Sequence, residues 1–126
     1  MKAINSPNLP SPLGHYVHAM KAGNMIFLSG QLGVGPDDNP DREVEDQVIK
    51  SLTAHETILR DIGLDRKSIA KTTIYISDID LWPRVNACYA DFFGDHKPAR
   101  CVVPCPDLHY GSKIEIEAIA YVESDS

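Results

Sequence analysis

Strict alternation of apolar and polar positions is clearest near the end of the chain, over residues 113–123. Apolar side chains fill every second position of this run: Ile114, Ile116, Ala118, Ala120 and Val122. A period of two predicts a β-strand whose apolar row is buried. The opposite row holds Lys113, Glu115, Glu117, Ile119 and Tyr121. Because a solvent-facing row should be more polar, we expect another subunit to cover it.

Two segments have the spacing of amphipathic helices. The first repeats apolar positions every three or four residues, at Val44, Val48, Leu52, His55, Leu59 and Ile62. We expect Asn39 to cap this helix, with Pro40 in its first turn, and Gly63 to end it. The second helix should begin at an Asp80 cap and end at Gly94. Its apolar stripe consists of Leu81, Val85, Cys88 and Phe92.

The remaining segments read as strands and loops. Extended structure is predicted for residues 15–21, 25–28, 68–77 and 100–105, with a hairpin turn at 22–24. Residues 1–13 contain three prolines and read as an irregular arm, and residues 30–39 read as a loop. The order β-β-α-β-α-β-β predicts an α+β fold in a single domain, 1–126. Two helices cover only one face of one mixed sheet, so the layer count also predicts oligomerisation.

Composition narrows the class of protein. The chain has 126 residues, of which 43% are hydrophobic, and a net charge of -6. Its twelve basic residues are scattered, which argues against a nucleic-acid partner. No stretch approaches the roughly 20 apolar residues of a membrane span, and the N-terminus lacks the apolar core of a signal peptide. We therefore expect a cytoplasmic protein without a membrane partner, whose cysteines are reduced thiols.

Arg100 is the first candidate for chemistry, because a guanidinium at the start of a strand offers a planar fork for a carboxylate. The alternative is a surface arginine, solvated or paired with Asp95 or Glu115. Glu115 and Glu117 point the same way from a strand. If their face is covered, desolvation and repulsion raise at least one pKa, as a general acid/base requires. The alternative is an edge strand with solvated charges.

A metal or nucleophile site has weaker support. Cys101, Cys105 and His109 match no strong zinc spacing, and prolines interrupt the strand between them. We therefore expect no metal. A nucleophilic cysteine lacks a histidine or aspartate at the spacing of a recognised triad.

Several motifs are more specific together than singly. They are GHY at 14–16, GNMIFLSGQ at 23–31, VNACYADFF at 85–93, KPAR at 97–100 and KIEIEAIA at 113–120. In this combination the chain resembles the Rid family of reactive intermediate deaminases, also called YjgF or L-PSP-like proteins. The resemblance extends from about residue 11 to residue 122.

This resemblance implies a chorismate-mutase-like fold and a homotrimer with its sheets inward and ligand sites between subunits. It implies hydrolysis of enamines and imines such as 2-aminoacrylate and 2-iminopropionate to keto acids and ammonia, without a cofactor. Arg100 matches the family arginine that pairs with the substrate carboxylate, and Glu115 matches the glutamate that orients water. Further pocket positions match Tyr16, Ser29, Gly30 and Asn86.

Departures from the family pattern concern the substrate. Val102 replaces the cysteine that the best-known branch has two residues after the arginine, and His15 stands where many members have proline. Cys105 instead follows Arg100 by five, which is similar to the branch acting on 3-aminoacrylate, and is a further candidate for substrate binding. A different enamine acid, of the 3-aminoacrylate or aminomuconate type, therefore stays open. So does a non-catalytic trimer that binds a metabolite carboxylate; the negative charge argues against an endoribonuclease.

Overall fold

One mixed sheet carries both helices in the computed structural model, which describes residues 1–123. The strands are β1 Lys2–Ile4, β2 Ala19–Ala22, β3 Met25–Leu32, β4 Ile69–Ile76, β5 Ala99–Pro104 and β6 Ile114–Tyr121. The helices are α1 Val44–Arg60 and α2 Trp82–Phe93. The strand order is β1-β2-β3-β6-β4-β5, and only the β4–β5 pair is parallel. This architecture confirms the predicted α+β class and adds a strand at the N-terminus.

The sequence predicted an irregular N-terminal arm, but the arm contains a short strand. β1 pairs antiparallel with β2, with Lys2 opposite Lys21. The buried imidazole of His18 then holds the following segment, because Nδ1 accepts the Ser6 N–H at 2.9 Å and Nε2 lies 3.0 Å from the Pro10 carbonyl oxygen. The short strand escaped prediction because the prolines that follow it limit it to three residues.

The first helix buries the predicted stripe except for Ile62, which is exposed, and it begins later than expected. Val44, Val48, Leu52, His55 and Leu59 are all buried. Asn39 does not cap the helix: its side chain accepts the Asp41 N–H at 2.9 Å in a local turn, and Glu43 occupies the cap position. The predicted end is confirmed, because Gly63 adopts φ 83° after the last turn.

The second helix differs from its prediction in both start and buried face. Asp80 is not the cap; Asp78 accepts the Asp80 N–H at 2.9 Å in a short 3-10 turn, Ile79–Leu81, ahead of α2. The buried residues are Val85, Tyr89 and Phe93 rather than the predicted Leu81, Val85, Cys88 and Phe92. Cys88 lies instead between the helices, with Sγ 3.6 Å from the Glu45 carbonyl oxygen. This rotation turns Tyr89 towards the sheet.

The sheet has a buried face and an open face. Towards the helices, Ile114, Ile116, Ala118 and Ala120 are buried, as the alternation in β6 predicted. On the other side, Phe27 and Tyr121 keep 45% and 40% of their surface exposed. We call this second side the open face; it also carries Ile119, Glu115, Glu117 and Tyr75. None of the helices within residues 1–123 has the length and apolar character needed to cross a bilayer.

Candidate functional site

Arg100 lies on the helix side of the edge strand β5. It pairs with Thr72 of β4, which in turn pairs with the buried Ala118 of β6. Residues paired across strands point to the same face, so the Arg100 side chain extends towards α2. There Nη1 donates to Asn86 Oδ1 at 2.9 Å. Two residues predicted separately, Arg100 and Asn86, are thus in direct contact.

Two aromatic rings complete the surroundings of the guanidinium. Its central carbon lies 4.7 Å from the Trp82 ring centroid and 5.1 Å from the Tyr89 ring centroid, both within cation–π range. The Tyr89 hydroxyl is fixed by a 2.7 Å hydrogen bond with Thr72. Burial raises the pKa of Tyr89, while that hydrogen bond and the nearby charge of Arg100 lower it.

The guanidinium has no carboxylate partner among residues 1–123, so the pairing with Asp95 or Glu115 considered above is not formed. Its Nε and Nη2 atoms make no hydrogen bond within this part of the chain, and the residue is exposed. We call Arg100, Asn86, Trp82 and Tyr89 the arginine half-site. It presents a fixed cation with unused N–H donors to the surroundings.

Glu115 lies on the open face, between β3 and β4. Its partners across the sheet are Leu32 and Tyr75. The β3–β6 register shifts between Leu28 and Gln31, which places a bulge at Ser29 and Gly30. A Cβ atom at Gly30 would lie 2.8 Å from Glu115 Oε2. The bulge therefore brings glycine backbone against the carboxylate, at a distance that no other residue type permits without moving it.

Burial also changes the acidity of Glu115. Desolvation raises the pKa of its carboxyl group, the positive charge of His109 lowers it, and the negative charge of Glu117 raises it further. The sequence predicted a raised pKa in this acidic row on condition that its face is covered; the desolvation of Glu115 described here arises within one chain. Tyr75 donates to Glu117 Oε1 at 3.1 Å, which raises the pKa of Tyr75. We call Glu115, Ser29, Gly30 and His109 the glutamate half-site.

The other predicted residues lie at varied distances from these groups. Ser29 Oγ donates to the Val17 carbonyl at 2.7 Å, which ties the bulge to the segment that carries Tyr16. Tyr16 itself is 51% exposed and makes no side-chain hydrogen bond within residues 1–123. Cys105 follows β5, with Sγ 3.8 Å from the Ile76 carbonyl oxygen. Five extended residues separate Cys105 from Arg100 by about 16 Å, so the chain does not join the two.

The described part of the chain offers no set of ligands for a metal ion. Residues 1–123 contain no group of three or more histidine, cysteine, aspartate or glutamate side chains able to hold an ion. Cys101 is exposed on the open-face side of β5, opposite Thr73.

The two half-sites of one chain face away from each other. Arg100 shares the face of Ala118, whereas Glu115 alternates with the buried Ile116 and faces the opposite way. β4 separates their strands by about 10 Å, and three residues of offset along the strand add about 10 Å more. One chain alone therefore does not bring the guanidinium and the carboxylate to one small ligand.

Sequence reasoning missed the aromatic part of the arginine half-site. Trp82, Asn86 and Tyr89 lie at spacings of four and three, which places them on one face of α2. That spacing was visible, but the predicted helix start at Asp80 led to a stripe centred on other residues. The influence of His109 on Glu115 was not predicted, because the proximity of the two residues depends on how residues 105–113 connect β5 to β6.

Two helices on a mixed sheet define a small α+β protein. On one face it carries an arginine without an ion pair among residues 1–123, and on the other a partly desolvated glutamate. The chain belongs to the family described as Endoribonuclease L-PSP, the YjgF/Rid family, whose profile matches residues 6–122. Several relatives in this family are named as imine deaminases.

Individual relatives span nearly the whole chain. A RutC family protein of Aquifex aeolicus is 37% identical over 95% of this chain and 98% of its own length. The 2-iminobutanoate/2-iminopropanoate deaminase of Escherichia coli K12 is 39% identical over 94% of this chain and 96% of its own. The crystal structure of Escherichia coli TdcF with bound serine superposes with a TM-score of 0.88 at 34% identity, over 98% of this chain and 100% of that one.

Proposed function

We propose that this protein hydrolyses a small enamine or imine that carries a carboxylate, of the 2-aminoacrylate or 2-iminopropionate type, to a keto acid and ammonia. The observation that carries the proposal is Arg100: the residue is exposed, and its Nε and Nη2 atoms have no hydrogen-bond partner within residues 1–123. Membership of a family that contains named imine deaminases supports it. The proposed chemistry uses protein side chains and water alone.

Arg100 would hold the substrate carboxylate through a charge-assisted fork. Asn86 already occupies Nη1, so the carboxylate would take the two donors on the other edge. Fixing this end places the imine carbon for attack and supplies much of the catalytic advantage through orientation.

Glu115 would act on the water and on the nitrogen. As water adds to the carbon of the N-protonated imine, the carboxylate takes a water proton and a neutral carbinolamine forms. The protonated carboxyl then returns that proton to the amino nitrogen. As the C–N bond breaks and ammonia leaves, the carboxylate takes the hydroxyl proton, the C=O bond forms, and the carboxyl finally gives this proton to ammonia or solvent. A carboxyl whose pKa is raised towards neutrality suits both transfers better than a fully solvated one. An enamine must first take a proton at carbon to become the imine.

A complete site would need two copies of the chain, because the half-sites of one copy point in opposite directions. The open face supports such an assembly: Phe27 and Tyr121 are large, apolar and exposed in the isolated chain. We propose a homotrimer with the sheets inward, in which the arginine half-site of one copy meets the glutamate half-site of its neighbour.

Turnover tests the chemistry directly. A PLP-dependent dehydratase acting on serine generates 2-aminoacrylate, and pyruvate release is followed with and without this protein. The wild type should accelerate release, and Arg100→Ala and Glu115→Gln should each remove most of the acceleration. No acceleration by the wild type, or equal acceleration by Arg100→Ala, would overturn the proposal. A panel with 3-aminoacrylate and an aminomuconate would identify the preferred enamine acid.

Mixing two inactive variants tests the shared site. If each site takes Arg100 from one copy and Glu115 from another, random co-assembly of Arg100→Ala with Glu115→Gln restores about a quarter of the wild-type sites. Sites built within one chain would restore none. The unmixed variants, carried through the same unfolding and refolding, are the matched controls.

A non-catalytic carboxylate sensor is the second candidate. It is favoured by the TdcF structure, whose ligand, serine, carries a carboxylate. A sensor would bind a small carboxylate through Arg100, and Glu115→Gln would change no turnover because the wild type would have none.

A further inference from the structure

Trp82 is the only tryptophan of the chain and occupies the first position of α2. Its ring is half-buried and faces the guanidinium carbon of Arg100 at 4.7 Å. No ion pair within residues 1–123 involves this arginine, so the ring is one of its few fixed contacts. The Trp82 ring therefore does not serve to shield a structural salt bridge of Arg100 from water.

The three α2 residues of the arginine half-site act on different parts of the guanidinium. Asn86 fixes one atom, Nη1, through its side-chain oxygen. A single hydrogen bond leaves the plane free to rotate about that contact. The guanidinium carbon also lies over the Trp82 and Tyr89 rings, and packing against two rings restricts that rotation. Together they leave one edge, Nε–Nη2, without a protein partner in the described chain.

We propose that Trp82 is a positioning residue for substrate binding: its ring holds the Arg100 plane so that the Nε–Nη2 edge meets the substrate carboxylate. This inference rests on the proposed function and assigns a role to a residue that does not itself touch the reacting atoms. A flexible arginine would bind the same carboxylate more weakly, because ordering the side chain would then oppose binding.

The same helix provides a matched control. Phe92 of α2 is also partly buried and also stacks on an arginine, with the Arg66 guanidinium carbon 3.7 Å from its ring centroid. Arg66 is held by Glu56 and has no part in the proposed site. Trp82→Leu and Phe92→Leu therefore each remove from α2 one aromatic ring that contacts an arginine, and only the first should affect substrate binding.

Steady-state kinetics with 2-aminoacrylate should show a large effect on KM and a small one on kcat. Trp82→Leu should raise KM about three- to tenfold with kcat changed less than about twofold, since loss of a cation–π contact is an effect of that size. Trp82→Phe, which keeps a ring, should recover most of the loss, and Phe92→Leu should keep the wild-type KM. An unchanged KM in Trp82→Leu, or the same rise in Phe92→Leu, would overturn the inference.

Binding of 2-oxobutanoate, a stable keto acid, gives a readout that does not need turnover. Its dissociation constant, measured by calorimetry, should rise in Trp82→Leu by the same factor as KM and should be lost in Arg100→Ala. Wild-type Trp82 emission should change saturably with the keto acid. If no imine is turned over yet Trp82→Leu weakens binding, the deaminase proposal fails and the positioning role stands. If the wild type turns over the imine but Trp82→Leu leaves both KM and the dissociation constant of the keto acid unchanged, the positioning role fails and the deaminase proposal stands.

Discussion

Acid should destabilise this protein through His55, a histidine that the fold keeps neutral. The side chain is fully buried in α1 against the middle of β6, with Nε2 2.5 Å from the Ile116 carbonyl oxygen. Its Nδ1 has no hydrogen-bond partner within residues 1–123. Nε2 therefore carries the proton that reaches the carbonyl, and a second proton on Nδ1 would place a charge in the core.

The magnitude follows from the pKa. Burial lowers the pKa of His55 from 6.5 to about 4, and the hydrogen bond to Ile116 offsets only part of that effect. The unfolded chain therefore binds a proton between those two values while the folded chain does not, so stability falls as the pH falls. The linkage relation gives a loss of about 2 kcal/mol at pH 5 and about 3 kcal/mol once the pH is below 4.

Urea unfolding at pH 7.5, 6.5, 5.5 and 5.0, followed by circular dichroism, measures the loss. One protein concentration should be used throughout, since assembly would couple stability to concentration. His55→Gln keeps an N–H donor near Ile116 but has no proton to gain, and His55→Leu is a second variant should the amide pack badly. In both, the free energy of unfolding should fall by about 2 kcal/mol less than in the wild type between pH 7.5 and 5.0.

Other titrating groups do not produce this difference. Hydrogen bonds to arginine or lysine and to backbone N–H groups hold the pKa values of Asp38, Glu45 and Glu56 below their usual range, and desolvation holds that of Glu115 above it. These carboxyl groups are the same in wild type and variant, so their contributions cancel in the comparison. If wild type and His55→Gln lose stability in parallel, the assignment to His55 is wrong.

Three further perturbations test the glutamate half-site and the open face. Gly30→Ala should lower kcat at least tenfold while the free energy of unfolding changes by less than about 1 kcal/mol, because the new methyl displaces a mobile carboxylate, Glu115, rather than backbone. His109→Gln removes a charge that lowers the pKa of Glu115, so the acidic limb of the kcat/KM profile and the carboxyl titration by ¹³C NMR should move to higher pH. Phe27→Lys should reduce the assembled mass measured by light scattering, because it places a charge on the face proposed to be covered.

Each of these perturbations has a counterpart elsewhere in the chain. Gly35→Ala should leave kcat unchanged, since its Cβ would lie at an ordinary 3.6 Å from Asp38. Glu117→Gln removes a charge of the opposite sign and should move the acidic limb the other way. Ile49→Lys adds a charge to α1, where that side chain is already 41% exposed, and should keep the assembled mass. Equal effects from control and test variants would contradict the reasoning.

The strand β6 and its buried row were predictable because every second residue is apolar over the ten positions 113–122. Local signals were less reliable at the helix starts. Asn39 and Asp80 are good capping residues, yet Asn39 closes a local turn and Asp78 makes the Asx contact expected of Asp80. The stripe of α2 was displaced in consequence, and the contact of Tyr89 with Thr72 could not be foreseen.

Arg100 and Glu115 were identified as candidates from the sequence, but their relative placement was not. Strand register determines which face each occupies, and register is set by pairing between distant segments rather than by local pattern. Arg100 faces α2 because it pairs with Thr72. The close approach of Gly30 to Glu115 likewise requires the bulge in β3, and the residue types of that strand do not predict a bulge.

Strand order has a consequence for synthesis on the ribosome. β6, which follows the other five strands in the chain, lies between β3 and β4. Until residues 114–121 emerge, the nascent chain holds two separate pieces of sheet, each with an unpaired apolar edge. Such edges pair readily with other chains. A truncated product that ends before Ile114 should therefore aggregate rather than fold partially, and chaperone demand should be greatest just before β6 becomes available.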